Sequence, residues 1–309
     1  MKQALEVPIA PVASIATSAR ASAPSRSADF LALTKPRLNL LVLLTTLGGL
    51  YLGAPDGVTP LLLFNTLVGT ALVAGGASAL NQVWERDTDG LMRRTRLRPV
   101  PGGRLQAGEG TRFGLALSAI GLLQLTLGVN LVAALVAAVT LGSYILLYTP
   151  LKRRTWLSTL VGAFPGALPP VIGWAAATGT IDPSAAILFG IVFFWQIPHF
   201  LAIAWLYRED YARAGLPLLP VVEPDGRSTG RQASIYAVLL LPVSMAPMAT
   251  GLAGVGYVVV AAALGVGLVV LSATFARERS TAAARRLFLA SIVYLPVLWA
   301  VLVADRLWF

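Results

Sequence analysis

The chain has 309 residues, of which 56% are hydrophobic and only 12% charged, with a mean hydropathy of +0.74. A soluble domain carries about 25% charged residues, so this composition excludes an ordinary water-soluble globule and suits a chain dissolved in lipid. Cysteine is absent, which excludes disulfide frameworks, thiolate nucleophiles and zinc–thiolate sites; the net charge of +10 is read as the Lys/Arg bias that orients membrane helices, with no nucleic-acid partner.

Residues 1–28 are rich in Ala, Ser and Pro, carry Arg20 and Arg26, and contain no apolar run of signal-peptide length. They are expected to form a disordered basic tail, followed by one membrane domain over 30–309. Apolar stretches near the ~20 residues a spanning helix needs then follow at 38–55, 59–83, 112–129, 131–149, 156–177, 183–207, 232–250, 254–275 and 287–304. These runs are continuously apolar rather than alternating, which excludes a β-barrel. The expected fold is an all-α polytopic membrane protein of nine transmembrane helices.

Every Lys and Arg except Arg306 falls in the tail or in alternate connections, while the connections near 56, 130, 180 and 252 hold none. The positive-inside rule then places the N-terminus in the cytoplasm and the C-terminus outside, in a multi-pass protein of the cell (inner) membrane.

Orientation needs bases but not acids. The stretch NQVWERDTDGLMRRTRLRP (81–99), directly after the second span, supplies both. Asn81, Glu85 and Asp89 stand four apart, which puts one amide and two carboxylates on one helix face. Such an oxygen-only set suits magnesium, which binds phosphate oxygens as further ligands. Arg94 and Arg98, with Arg93, Arg96 and Arg104 nearby, present donor forks matched to phosphate. The same residues also suit a solvated helix end whose acids pair with its arginines; the combination of metal ligands and anion ligands favours a diphosphate site at the membrane edge.

A second charged segment follows the sixth span in FFWQIPHFLAIAWLYREDYARAGLPLLP (193–220), with Glu209, Asp210, Arg208 and Arg213. Its parallel with the first suggests two related halves sharing one cavity. His199, the single histidine, lies about midway along that span with Gln196 one turn earlier. An ionisable group there usually faces the interior; it could be a packing hydrogen bond, a proton acceptor or an axial heme ligand.

Together with YTPLKRRT (148–155) and GALPPVIGW (166–174), these two segments resemble the heme branch of the UbiA superfamily of intramembrane prenyltransferases, over roughly residues 30 to 305. The resemblance implies nine helices around a central cavity and Mg2+-dependent transfer of a farnesyl group from farnesyl diphosphate to the vinyl group of heme B, giving heme O. It implies catalytic or metal-binding roles for Asn81, Glu85, Asp89 and Asp210, a catalytic role for His199 against the porphyrin, and diphosphate contacts from Arg94, Arg98, Tyr148, Lys152 and Arg153. It also implies the lipid bilayer as surroundings and a heme A synthase or terminal oxidase as assembly partner. Trp195 and Tyr207 are candidate aromatic walls for an allylic cation. Two departures stand out: Glu85 occupies a position the family usually fills with Asp, and the second acidic motif offers only Glu209 and Asp210. The competing readings are a UbiA-type enzyme acting on a quinone precursor, and a transporter of an anionic lipid or metabolite, since Pro165, Pro169, Pro170 and Pro198 fall within spans.

Overall fold

The computed structural model describes residues 24–306, so most of the expected basic tail lies outside the described residues. Its last residues are structured: α1 (Arg26–Leu33) begins at Ser25, whose side chain accepts from Ala28 N–H. Asp29 on this helix is buried, and Arg104 Nε donates to its two carboxylate oxygens at 2.9 and 3.1 Å. That ion pair anchors α1 to the loop after the second span, so the folded domain starts a few residues before 30.

The remaining helices follow the apolar runs. They are α2 (Pro36–Leu52), α3 (Pro60–Trp84), α4 (Arg86–Leu91), α5 (Ala107–Gly128), α6 (Leu131–Leu151), α7 (Ser158–Thr178), α8 (Pro183–Leu206), α9 (Arg208–Arg213), α10 (Leu219–Val222), α11 (Arg227–Thr250), α12 (Val255–Glu278) and α13 (Thr281–Arg306). Eight of these are long and apolar enough to cross a membrane, and α1 with α2, bent by 43° at Lys35, makes the ninth when counted as one span. Among the described residues there is no strand. The start signals are local: Thr59, Asn130 and Asp182 each accept a backbone N–H at the first turn of α3, α6 and α8, satisfying donors that the helix leaves free. Several helices outrun their apolar stretches, and α13 starts at Thr281 rather than 287, because hydropathy marks the lipid-facing part while hydrogen bonding continues through Arg285 and Arg286.

Packing follows membrane rules rather than an oil-drop core. Leu61, Leu127 and Val259 are exposed on the outer surface, where lipid is as apolar as any interior, so association depends on close backbone approach through small residues. On α3, a Cβ added to Gly76 would stand 2.6 Å from Gly114 O of α5. On α7, a Cβ added to Gly173 would stand 1.9 Å from Thr46 O of α2. Backbone cannot yield there without parting the helices, and overpacking costs about 1–3 kcal/mol or more. Gly173→Ala is therefore expected to lower the thermal unfolding temperature, whereas Gly142→Ala, with nothing within 4 Å of the added carbon, leaves it unchanged. Equal unfolding temperatures for the two variants would refute this packing account.

The prolines behave differently from one another. The α-helical pattern of α7 is interrupted at Leu168, between Pro165 and Pro169, but α8 runs unbroken through Pro198. A proline removes one backbone donor, and α8 stays helical across that gap while packed against α11 and α13. Of the prolines that fall within spans, Pro198 therefore leaves its helix continuous.

Candidate active site

The helix rule that groups Asn81, Glu85 and Asp89 survives a change of helix. α3 ends at Trp84 and α4 begins at Arg86, yet Glu85 N–H bonds Asn81 O at 2.9 Å and Asp89 N–H bonds Glu85 O at 2.8 Å. All three side chains are buried and line one cavity. Each oxygen row position meets a cation. Lys35 Nζ donates to Asn81 Oδ1 at 3.1 Å, Lys152 Nζ to Glu85 Oε1 at 2.9 Å, and Arg98 Nη1 to Asp89 Oδ2 at 2.6 Å. Asn81 Nδ2 in turn donates to Thr149 Oγ1 at 3.2 Å, which fixes the amide with its oxygen toward Lys35.

Two consequences follow for the acids. Burial pushes the Glu85 carboxyl up, but the charge and hydrogen bond of Lys152, the Lys35 charge and a hydrogen bond with Asn81 together outweigh it and hold the group below the usual carboxylate range. Asp89 Oδ1 is buried and, among the described residues, accepts no hydrogen bond. An uncompensated carboxylate oxygen of this kind is costly, and beside two further oxygen donors it fits a divalent cation with hard-ligand preference.

The cavity encloses about 500 Å3. Its mouth carries the acids and cations, together with Arg94 and the rings of Tyr148 and Tyr211; its depth is walled by Val42, Val73, Leu141, Ile172 and Phe200. Tyr144 and Tyr148 stack at 5.4 Å between centroids, with 28° between planes, and both line the cavity. Arg94 lies over the rings of Tyr207 and Tyr211, at 5.6 and 5.3 Å, and donates to Tyr211 Oη at 3.1 Å. Among the described residues Arg94 pairs with no carboxylate, unlike Lys35's neighbours Arg98 and Lys152. Met92 packs with Tyr211, Leu216 and Leu218, so the loops after α3 and α8 close over the same opening.

The structure thus brings together Asn81, Glu85, Asp89, Arg94, Arg98, Tyr148 and Lys152. It places three other expected site residues elsewhere. Asp210 bonds Arg213 one turn ahead at 2.8 Å and does not line the cavity; the second loop contributes Tyr211 and Leu218 instead of a carboxylate. Arg153 donates to Trp84 O at 3.2 Å on an exposed surface. His199 turns away from the cavity toward Ser291 on α13, with Nδ1 2.8 Å from Ser291 Oγ. Trp195 also faces α13, its Nε1 donating to Ser291 O, and Tyr207 lies outside under Arg94. The aromatic walls are Tyr144, Tyr148, Tyr211 and Phe200. Among the described residues no three His, Asp or Glu side chains gather at one point, so the acids here do not by themselves form a three-ligand cluster.

Lys35, Tyr144 and Tyr211 escaped the sequence reading. Lys35 counts there only as a topological charge, though its place next to Pro36 puts it at the head of a span. Tyr144 lies one turn before Tyr148, and the i, i+4 spacing was the available signal.

A bundle of membrane helices whose apolar cavity opens onto paired acids and bases is the architecture of an intramembrane prenyltransferase. The chain belongs to the UbiA prenyltransferase family, whose sequence profile matches residues 42–292. It is 48% identical over 287 residues to the protoheme IX farnesyltransferase of Solibacter usitatus, covering 90% of this chain and 98% of that one. To the protoheme IX farnesyltransferase of Myxococcus xanthus it is 43% identical over 286 residues, covering 92% and 97%. Among solved structures it is similar to one described for digeranylgeranylglyceryl phosphate synthase, with a TM-score of 0.78, 15% identity and coverage of 92% and 99%. It also resembles a UbiA homologue from Archaeoglobus fulgidus bound to GPP and Mg2+, with a TM-score of 0.64, 16% identity and coverage of 89% and 99%. The protein is a multi-pass membrane enzyme of the prenyltransferase class.

Proposed function

We propose that this enzyme transfers the farnesyl group of farnesyl diphosphate to the vinyl group of protoheme IX (heme B), yielding heme O and diphosphate, from a cavity mouth on the cytoplasmic face. The observation that carries the reading is the buried row Asn81, Glu85 and Asp89, each faced by a cation at the rim of an apolar cavity. The acceptor rests on the names of relatives at more than 40% identity across nine-tenths of the chain.

Asn81, Glu85 and Asp89 would hold Mg2+, with Asp89 Oδ1, partnerless among the described residues, as its readiest ligand; when bound, the ion neutralises charge gathering on the departing diphosphate. The protein's own groups do the rest. Arg94, which pairs with no acid among the described residues, is available to bind diphosphate oxygens, while Lys35, Arg98 and Lys152 supply fixed positive charge beside them. Charge placed in advance where it develops in the transition state lowers the barrier to breaking the C1–O bond. The stacked Tyr144 and Tyr148 offer ring faces to the allylic cation. Val42, Val73 and Leu141 shield the chain from water. The heme vinyl carbon then attacks C1, and one water adds to the resulting benzylic-type cation with loss of a proton, so that farnesyl diphosphate, heme and water balance against heme O and diphosphate.

The acceptor is tested by competition. Purified protein given farnesyl diphosphate, Mg2+ and an equimolar mixture of heme B and 4-hydroxybenzoate is expected to yield only heme O by mass. Prenylated benzoate with unmodified heme would move the enzyme to the quinone-precursor branch.

A further inference from the structure

Gln196 lines the cavity on α8, below the charged mouth, and is only 3% exposed. Its Nε2 donates to Ala163 O of α7 at 2.7 Å. A carbonyl can only accept, so the end of the amide facing Ala163 is the nitrogen, and the oxygen is turned away from it. Oε1 accepts no hydrogen bond among the described residues. It lies over Gly166, where an added Cβ would stand 2.3 Å from it. Gly166 lines the same cavity, so the missing side chain at that position is what leaves the oxygen room there. Tying α7 to α8 accounts for the nitrogen alone. An acceptor left bare among apolar walls costs free energy, and a packing contact recovers none of it.

The depth of the oxygen indicates what it meets. Gly162 lies one turn before Gly166 on α7, and a Cβ there would stand 2.6 Å from Tyr148 Cε2, beside the ring carbon that carries the hydroxyl. Positions one turn apart on a helix are separated by about 6 Å. One water spans such a gap when it accepts from a hydroxyl on one side and donates to an amide oxygen on the other. Water is a reactant at this depth. When C1 of the farnesyl chain joins the terminal vinyl carbon, beside the Tyr148 ring, the positive charge passes to the inner vinyl carbon. If water reaches that carbon the product is an alcohol; otherwise the newly joined carbon sheds a proton and the product is an alkene. We infer that Gln196 Oε1, with the Tyr148 hydroxyl, seats the water that captures this cation and so makes the product the alcohol. The water oxygen forms the C–O bond with a lone pair, and the proton it sheds passes to the diphosphate at the mouth. Gln196 takes no proton; by holding one O–H it turns a lone pair toward the carbon. Gly166 acts as a positioning residue, leaving the amide oxygen clear. The inference rests on heme being the acceptor and adds which side chain governs the last step.

The test reads how the product divides. The full chain in detergent is given farnesyl diphosphate, Mg2+ and heme B. Diphosphate release is followed together with heme O and the farnesylated alkene, which is lighter by one water in the mass spectrum. Native protein is expected to give heme O with little alkene. Gln196→Leu keeps the bulk and removes both ends of the amide. Gly166→Ala keeps the bond to Ala163 and presses a methyl group on Oε1, the far end of a side chain that can turn, so the helices stay packed. In both variants the alkene-to-alcohol ratio is expected to rise roughly tenfold, the worth of one hydrogen bond to the water. Diphosphate release is expected to fall by less than heme O does, because C1–O cleavage precedes the water step. Unchanged elution volume and unfolding temperature show that the variants fold. Heme O as the sole farnesylated product of folded Gln196→Leu and Gly166→Ala overturns the inference. So does a parallel fall in diphosphate release and heme O with no change in the ratio, which is what a merely structural amide would give. Native protein that releases diphosphate but leaves heme without a farnesyl group defeats the acceptor assignment, and the water step falls with it.

Discussion

Asp89→Asn is expected to reduce turnover by roughly 10²–10³-fold, the range seen when one preorganised electrostatic partner of a developing charge is removed. The substitution keeps the shape and lets the new side-chain oxygen accept from Arg98, now 2.6 Å from the carboxylate. What it removes is the negative charge and, at Oδ1, the buried oxygen that accepts no hydrogen bond among the described residues. Loss should fall mainly on kcat, because the charge on diphosphate is greatest when the C1–O bond has broken, and an interaction stronger in the transition state than in the ground state shows in kcat. A folded Asp89→Asn protein with native kcat would remove Asp89 from the chemistry.

The second large effect separates folding from chemistry. Side-chain exposures of 7% for Glu85 and 14% for Lys152 make theirs a buried pair, and removing one partner of such a pair costs about 3–5 kcal/mol because the other charge is left alone. Lys152→Met should therefore lower the unfolding temperature markedly and abolish turnover together. Adding Glu85→Gln removes the stranded carboxylate, so the double variant should recover most of the thermal stability while remaining inactive. Destabilisation without recovery would mean that Lys152 acts through its contacts elsewhere, such as the face of Tyr148 at 6.0 Å. Recovery of both stability and activity would show that Glu85 and Lys152 are a structural pin and nothing more.

The parts of the site that were readable in advance share one property: their geometry is local. Asn81, Glu85 and Asp89 are linked by backbone bonds four residues apart, and these persist across the join of α3 and α4, so spacing alone placed them together. Tyr148 and Lys152 are related in the same way, with Lys152 N–H bonding Tyr148 O at 3.0 Å. The spans were readable because lipid demands continuous apolar runs. Facing was not. α8 is apolar on all sides, so nothing in its pattern distinguishes Gln196 and Phe200, which line the cavity, from His199, which meets α13. Asp210 shows another limit. An acid after a span resembles a second ligand, but Arg213 three residues on claims it. Lys35 was hidden for the opposite reason: its partner Asn81 is 46 residues away, and only the folded bundle joins them.

Metal dependence with farnesyl diphosphate and heme B as substrates tests the central claim most directly. Purified protein is stripped with a chelator, supplied with both substrates, and followed for diphosphate release and heme O as Mg2+ is restored. No product before addition and full recovery afterwards are expected for the native chain, with Asp89→Asn failing to recover at the same concentrations. Heme O formed at an undiminished rate by the chelated native protein, or by Asp89→Asn, would contradict a metal–diphosphate site at Asn81, Glu85 and Asp89.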